Sequence, residues 1–183
     1  MGFAIPVSLM HHNPAWVLAA EHYSALILAA TPIVIAVHHI GSTGIAGIKA
    51  KPVIDLMPIV TSLSALDPQA KQIEALGYVW RGEFGVDGRR FCTLDDAAGV
   101  RQAQLHIYEK GSPHARRQLA FRDYLRAHPS IAQDYSAEKE RASALHPNDS
   151  HAYSAEKGGW IRTVEADALI WYEKTGANDT ALI

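Results

Sequence analysis

Asp55 stands alone among apolar neighbours in Val53-Ile54-Asp55-Leu56-Met57, and a carboxylate inside such a run is costly unless solvated, paired or bound to a cation. Upstream, the β-branched run Ile33 to Ile40 carries His38 and His39 and stops at Gly41-Ser42-Thr43-Gly44. That turn offers consecutive backbone N–H groups and two hydroxyls, which suit a phosphate or carboxylate. Downstream, Gln104, His106 and Tyr108 share one face of an expected strand, as Val53, Asp55 and Met57 share one face of theirs. If these strands pair centrally, Asp55, His106 and one of the oppositely pointing His38 and His39 converge beside Ser42. They would offer oxygen and imidazole donors to a divalent metal. The bland alternative is an Asp55 that caps a backbone group and a His106 satisfied in the core. Lys49, Lys51, Arg89 and Arg90 flank the strands as candidates to neutralise an anion, with one of the arginine pair expected on the Asp55 face. Arg122 and Arg126, four apart, read as a charged outer helix face, and Cys92, with no Cys or His motif beside it, as a small core residue.

The glycine spacing is GxxGxxG rather than the dinucleotide GxGxxG, Pro52 arrives too soon for a crossover helix, and no GK[ST] triplet completes a phosphate loop.

The elements that must position these residues follow from periodicity and turn chemistry. Asn13 is a plausible cap and Pro14 a first-turn residue, after which Trp16, Ala20, Tyr23, Ile27 and Ala30 recur at helical spacing, widened by Val17 and Leu26. Thr31-Pro32 ends that helix. Ser64 or Asp67-Pro68 opens a second helix to Leu76, with Gly77 beyond its end. Short strands are expected at Tyr78 to Trp80, Arg89 to Leu94 and Gln102 to Tyr108, an antiparallel meander punctuated by Asp87-Gly88 and Asp95-Asp96. From Ser112-Pro113 the pattern is helical, interrupted at His128-Pro129 and at Pro147-Asn148-Asp149, with a frayed tail after Lys174. The whole of 1–183 reads as a single domain, an α/β core over 1–110 followed by a helical part over 111–175.

With a formal charge of -2, the chain has no global field to recruit nucleic acid or an anionic membrane. Its single cysteine excludes an intrachain disulfide framework and fits a reducing compartment; with no basic leader and no apolar run of ~20 residues, the expectation is a cytoplasmic protein without a membrane partner. The apolar positions Trp160, Ile161, Val164, Leu169 and Trp171 are expected either to pack on the core or to form a homodimer face.

The chain resembles the GrpB-like family, a branch of the nucleotidyltransferase superfamily. The resemblance runs over most of its length: Asn13-Pro14-Ala15-Trp16, HIGSTGIAGIKAKPVIDL from His39 to Leu56, Ala75-Leu76-Gly77-Tyr78, Gly88-Arg89-Arg90-Phe91, Leu105-His106-Ile107-Tyr108, and GSPHARRQLAFRDYLRAHP from Gly111 to Pro129. It implies an α+β fold, a nucleotidyltransferase-like mixed β-sheet flanked by helices with a C-terminal helical extension. In it the Gly41-Ser42 turn and Asp55 stand like the superfamily's glycine-serine and metal-carboxylate motifs. The departures are specific. The superfamily's second carboxylate, two positions after the first, is Met57 here, and the best candidate for the third, on a later strand, is His106. Family members also tend to carry an acidic residue where His38 stands, and Ala-Val-Pro where Gly44-Ile45-Ala46 stand.

Three functions remain open at this stage. The first is a nucleotidyltransferase-like enzyme acting on a small anionic or nucleotide substrate. There Gly41, Ser42, Thr43, Lys49, Arg89, Arg90 and Tyr108 bind the substrate, Asp55, His106 and Lys51 act on it, and Mg²⁺ or Mn²⁺ assists. The second is a single-metal enzyme of different chemistry, with Zn²⁺, Mn²⁺ or Fe²⁺ held by Asp55, His106 and His38 or His39. The third is a non-catalytic binding or folding-assistance module.

Overall fold

A computed structural model describes residues 6–175. The tail beyond Lys174, apart from Thr175, and the first five residues of the N-terminus inspected for a leader lie outside the described residues. Helix α1 (Ala15–Ala30) starts where the Asn13 side chain accepts the Ala15 N–H at 3.0 Å and ends at extended Thr31 before Pro32. Its stripe is narrower than the sequence suggested. Trp16, Ala20 and Ile27 are buried with Tyr23 and Ala30 against them, whereas Val17 and Leu26 are exposed, because the helix meets the sheet along one line only.

Five strands form one mixed sheet in the order β1-β2-β5-β4-β3: β1 (Val34–Ile40), β2 (Ile54–Val60), β3 (Val79–Trp80), β4 (Arg90–Asp95) and β5 (Arg101–Glu109). β2 runs parallel to β5 and every other pairing is antiparallel, so the meander β3-β4-β5 is as expected and β2 slots beside its last strand. The expected second helix is broken into α2 (Leu63–Leu66), a 3-10 turn at Asp67–Gln69 and α3 (Ala70–Glu74). Pro68, which has no N–H to donate, sits at that break. Ser62, rather than Ser64, caps α2 by accepting the Ala65 N–H. Helices α4 (Pro113–Ala127), α5 (Pro129–Leu145) and α6 (Ser150–Lys174) follow, and Asp149 caps the last by accepting from His151 and Ala152.

Register divides the sheet into two faces. Leu56, Cys92, Leu105 and Ile107 face α1 and α3, while Met57, Ile59 and Tyr108 face α4 and α6 with Ala115, Leu119, Ala168 and Tyr172. Both clusters hold the sheet between helical layers. Trp160, Ile161 and Val164 pack against Ile45, Ile48, Leu125 and Tyr135, and Leu169 and Trp171 against the second face, so these positions pack on the core, as one of the two expected arrangements has it. No described helix is long and apolar enough to cross a membrane. Leu56 is fully buried at the centre of the first cluster, so Leu56→Ala is expected to cost about 2–5 kcal/mol, read as a lower denaturation midpoint at unchanged slope.

Candidate functional site

The chain leaves β1 through Gly41 at φ +68°, ψ -176°, a region that is essentially glycine's alone. A Cβ there would lie 2.5 Å from Asp55 Oδ2, so the absence of a side chain at the bend lets the β2 carboxylate lie against it. Ser42–Gly44 then form a 3-10 turn, closed by Gly44 and Ile45 N–H groups donating to the Gly41 and Ser42 carbonyls, both at 3.2 Å. Thr43 is buried and donates to the Val53 carbonyl at 3.4 Å, which leaves its oxygen to accept the His39 Nε2 proton at 2.9 Å. Its hydroxyl therefore ties the turn to both strands rather than waiting for a ligand.

Asp55 pairs in register with Ile40 on one side and Gln104 on the other, which puts it on the face of Gln104 and His106. His106 Nε2 is 3.6 Å from Asp55 Oδ1, with side chains 19% and 26% exposed, so the pair is open to solvent. Arg89 donates to His106 Nδ1 at 3.4 Å, which leaves the ring proton on Nε2, facing the carboxylate. The Arg89 guanidinium is itself fixed over the Phe91 ring and on the Glu83 and Phe84 carbonyls. Arg90, one step along, points to the other face and is spent on Asp67 at 2.6 and 2.7 Å. Alternation thus selects Arg89 of the pair. Lys49 turns away to Glu140, and Tyr108 sinks into the second core face, its hydroxyl accepting from Gln118 and its ring stacked on His114.

The two histidines do not join Asp55 and His106. His39, paired with Leu56, lies on the opposite face; burial first and then Arg126 lower its pKa to about 4. His38 shares the Asp55 face but sits level with Met57, against the Arg122–Asp123 pair, and burial with the Arg122 charge takes its pKa to about 4 as well. Among the described residues no group of three or more His, Cys, Asp or Glu side chains is gathered as a metal ligand set.

The strands and the turn meet the C-terminal helices in a cleft of about 60 Å³, lined by Ser42, Thr43, Lys51, Val53, Asp55, Gln104, Lys139, Tyr153 and Lys157. Lys51 donates to Ser150 at 2.9 Å, and Lys157 lies 4.7 Å over the Tyr153 ring. Lys139 is 1% exposed, donates to the Lys49 carbonyl and packs 4.5 Å over the Tyr135 ring. Burial, then the Lys157 charge, lowers its pKa to about 7, with Glu140 opposing. Sequence reasoning missed both α5 and α6 lysines. The signal for Lys139 was present: Ala132, Tyr135, Ser136 and Ala142 are buried at helical spacing, and Lys139 occupies the position of that stripe between them.

Arg122 and Arg126 also depart from expectation. Neither is simply a solvated outer charge: Arg122 is 9% exposed and donates to the His39 carbonyl at 3.1 Å, and Arg126 makes bidentate bonds to the Gly44 carbonyl at 2.8 and 2.6 Å. Helix α4 lies across the end of β1, an edge strand of the sheet, and its arginines supply donors to these two carbonyls.

Comparison with known proteins places this geometry in a family. The family described as "GrpB protein" matches residues 6–167. UPF0157 protein YqkA of Bacillus subtilis is 40% identical over 94% of this chain and 50% of its own length, so the chain spans about half of that relative. The glutamate-rich protein GrpB of Alkalihalophilus pseudofirmus is 30% identical over 68% of this chain and 74% of its own. Among solved structures, the crystal structure of conserved protein GrpB from Enterococcus faecalis superposes with a TM-score of 0.83 at 34% identity, covering 90% of this chain and 99% of that one.

Proposed function

Because the chain belongs to the GrpB family, we propose that it is a nucleotidyltransferase-like enzyme that takes a small anionic or nucleotide substrate at the cleft between the Gly41-Ser42 turn and β2. The observation that supports this most is the position of Asp55, the carboxylate of an apolar strand, pressed against Gly41 and opening onto the same cleft as the Ser42 hydroxyl and Lys51. Ser42 and Lys51 hold the anion and neutralise charge as it develops. Asp55, kept in place by Gly41 on one side and the Nε2–H of His106 on the other, takes up the proton of an incoming hydroxyl. His106 and Arg89 act through Asp55, as positioning residues.

A two-metal centre does not fit these residues. Two ions about 4 Å apart call for several carboxylates. The lining here supplies one, Met57 is sealed in the core at the second position, and ammonium groups surround the rest of the cleft. The 3.6 Å Asp55–His106 pair favours one second reading, a single softer divalent ion held by these two donors. Elemental analysis of wild type beside Asp55→Asn tests it, and equal metal content in both would remove it.

For the main reading, nucleotides are screened by thermal shift with and without Mg²⁺ or Mn²⁺, and the nucleotide that binds is then tested for turnover. Asp55→Asn is expected to lower kcat by 10²–10⁴-fold while the variant still binds that nucleotide. Turnover equal to wild type would end Asp55's role, and no shift with any nucleotide would end the proposal.

A further inference from the structure

Three ammonium groups line a cleft that contains one carboxylate. Lys51 comes from the loop before β2, Lys139 from α5 and Lys157 from α6, so three separate segments each bring a cation to the wall of one cleft, where the Lys157 charge acts on both of the others and Asp55 is the one carboxylate of the lining. Like charges brought together out of water repel, and a buried ammonium with one protein acceptor loses most of its hydration. Lys139 is in that position: it donates to the Lys49 carbonyl, and the Tyr135 ring covers another side. Against the cost of burial, the Tyr135 and Tyr153 hydroxyls and Asp55 favour the charged form of Lys157 and raise its pKa, and Glu140 offsets part of that cost at Lys139. One carboxylate in the lining against three ammonium groups is still the pattern of a site completed by an anion. About 60 Å³ has room for one tetrahedral group, and the open side of the cleft leaves space for whatever that group is attached to.

From this lining we propose that Lys51, Lys139 and Lys157, with the Ser42 hydroxyl, form a site for one dianionic tetrahedral group, the terminal phosphoryl of a phosphate ester or a free phosphate. The inference deepens the reading above by assigning substrate class: the ligand enters phosphate first, and its remaining part stays toward the rim, where Asp55, His106 and Arg89 stand. It makes the C-terminal helices part of the binding site and gives Lys139 a purpose that core packing does not supply.

A consequence is that binding takes up a proton. The groups facing Lys139 are Lys157 from α6, Glu140 and Tyr135 on its own helix, the Lys49 carbonyl, and Lys51, Asp55 and Tyr153 across the cleft. Without an anion, Lys139 is about half protonated near pH 7; a bound dianion favours its charged form. Affinity is therefore flat below about pH 7 and falls as pH rises above it, by up to about tenfold per unit.

The test uses the whole chain and calorimetry with inorganic phosphate, pyrophosphate and sulfate, the last because it stays dianionic across the range. Wild type is expected to bind each, with sulfate affinity falling from pH 7 to 9 and proton uptake visible as a buffer-dependent heat. Lys139→Met, which substitutes an apolar side chain for a buried cation and so is expected to fold, should bind at least tenfold more weakly and lose the pH dependence. Asp55→Asn should bind sulfate as well as wild type or better, since it removes the one negative charge. No binding of any of the three anions by wild type, or equal binding by Lys139→Met, overturns the site. Tight anion binding with no turnover of any nucleotide upholds the site and sinks the enzymatic reading instead. If the phosphate belongs to a larger ester, pyrophosphate and nucleotide compete for one site; if free phosphate is the ligand, inorganic phosphate binds tightest.

Discussion

Gly41→Ala is expected to destabilise the protein by roughly 2–5 kcal/mol and to abolish ligand-dependent stabilisation in the same step. Two independent costs combine. The φ of +68° with ψ of -176° is strained for any residue with a Cβ, and the new methyl would stand 2.5 Å from Asp55 Oδ2 and 2.9 Å from its Cβ. A flexible surface side chain would swing away, but Asp55 is on a central strand paired on both sides. Either the turn or the carboxylate shifts, and with it the relation of Ser42 to Asp55. Gly82→Ala is the control. Gly82 also has positive φ, at +64°, yet nothing lies within 4 Å of its missing Cβ, so alanine there carries backbone strain alone and leaves binding unchanged. Denaturation midpoints and anion titration of the two variants check this. Equal effects of the two substitutions would show that Asp55 does not depend on the Gly41 bend.

Acid is expected to unfold the protein well above the pH at which carboxylates titrate. His38 and His39 each have a folded pKa of about 4 against an ordinary value of 6.5, the first from burial and the Arg122 charge, the second from burial and the Arg126 charge. Above pH 6.5 both rings are neutral, folded or unfolded, and contribute no pH dependence. As pH falls from 6.5 toward 4 the unfolded chain binds the protons and the folded one does not, so stability is lost across that window, by about 1–2 kcal/mol for each ring once solvent screening of these half-buried side chains is counted. His39 has a reason to stay neutral, since its Nε2 proton goes to Thr43 and its carbonyl is held by Arg122. Urea midpoints measured from pH 7.5 to 4.5 should fall steadily below 6.5, and His38→Gln should flatten about half of the decline. A midpoint constant down to pH 5 would mean the two rings are not held neutral.

The parts of this site carried by local pattern were legible before any coordinates. Asp55 declared itself by being charged among β-branched and apolar neighbours, and alternation correctly put His106 and Gln104 on a shared face, because period two is enforced by the strand itself. Alternation likewise allowed only one of Arg89 and Arg90 near Asp55. What it could not give was the order of strands. That β2 lies between β1 and β5, rather than at an edge, is a long-range fact, and it decides that His39 and Asp55 end on opposite faces. The arginines of α4 and the lysines of α5 and α6 were hidden for a different reason. Helices rich in charge look solvated all round, and which charge faces inward depends on polar groups some eighty to a hundred residues away, such as the Gly44 carbonyl that Arg126 binds and the Lys49 carbonyl that Lys139 binds. A charged residue at a stripe position is the one local clue, and Lys139 among Ala132, Tyr135 and Ala142 and Arg122 after Ala115 and Leu119 both offered it.

The cleft has its turn and carboxylate before residue 110 and two of its three cations after it. A molecule that fills it would act as a cross-tie between two stretches of chain that could otherwise loosen separately. Occupancy at a hundredfold excess over Kd adds about 2.7 kcal/mol to any opening that pulls α5 and α6 off the sheet, and adds nothing to fraying that spares them. With phosphate or sulfate bound, the protein is therefore expected to unfold in a single transition that carries the helical layer with the strand that bears the acid.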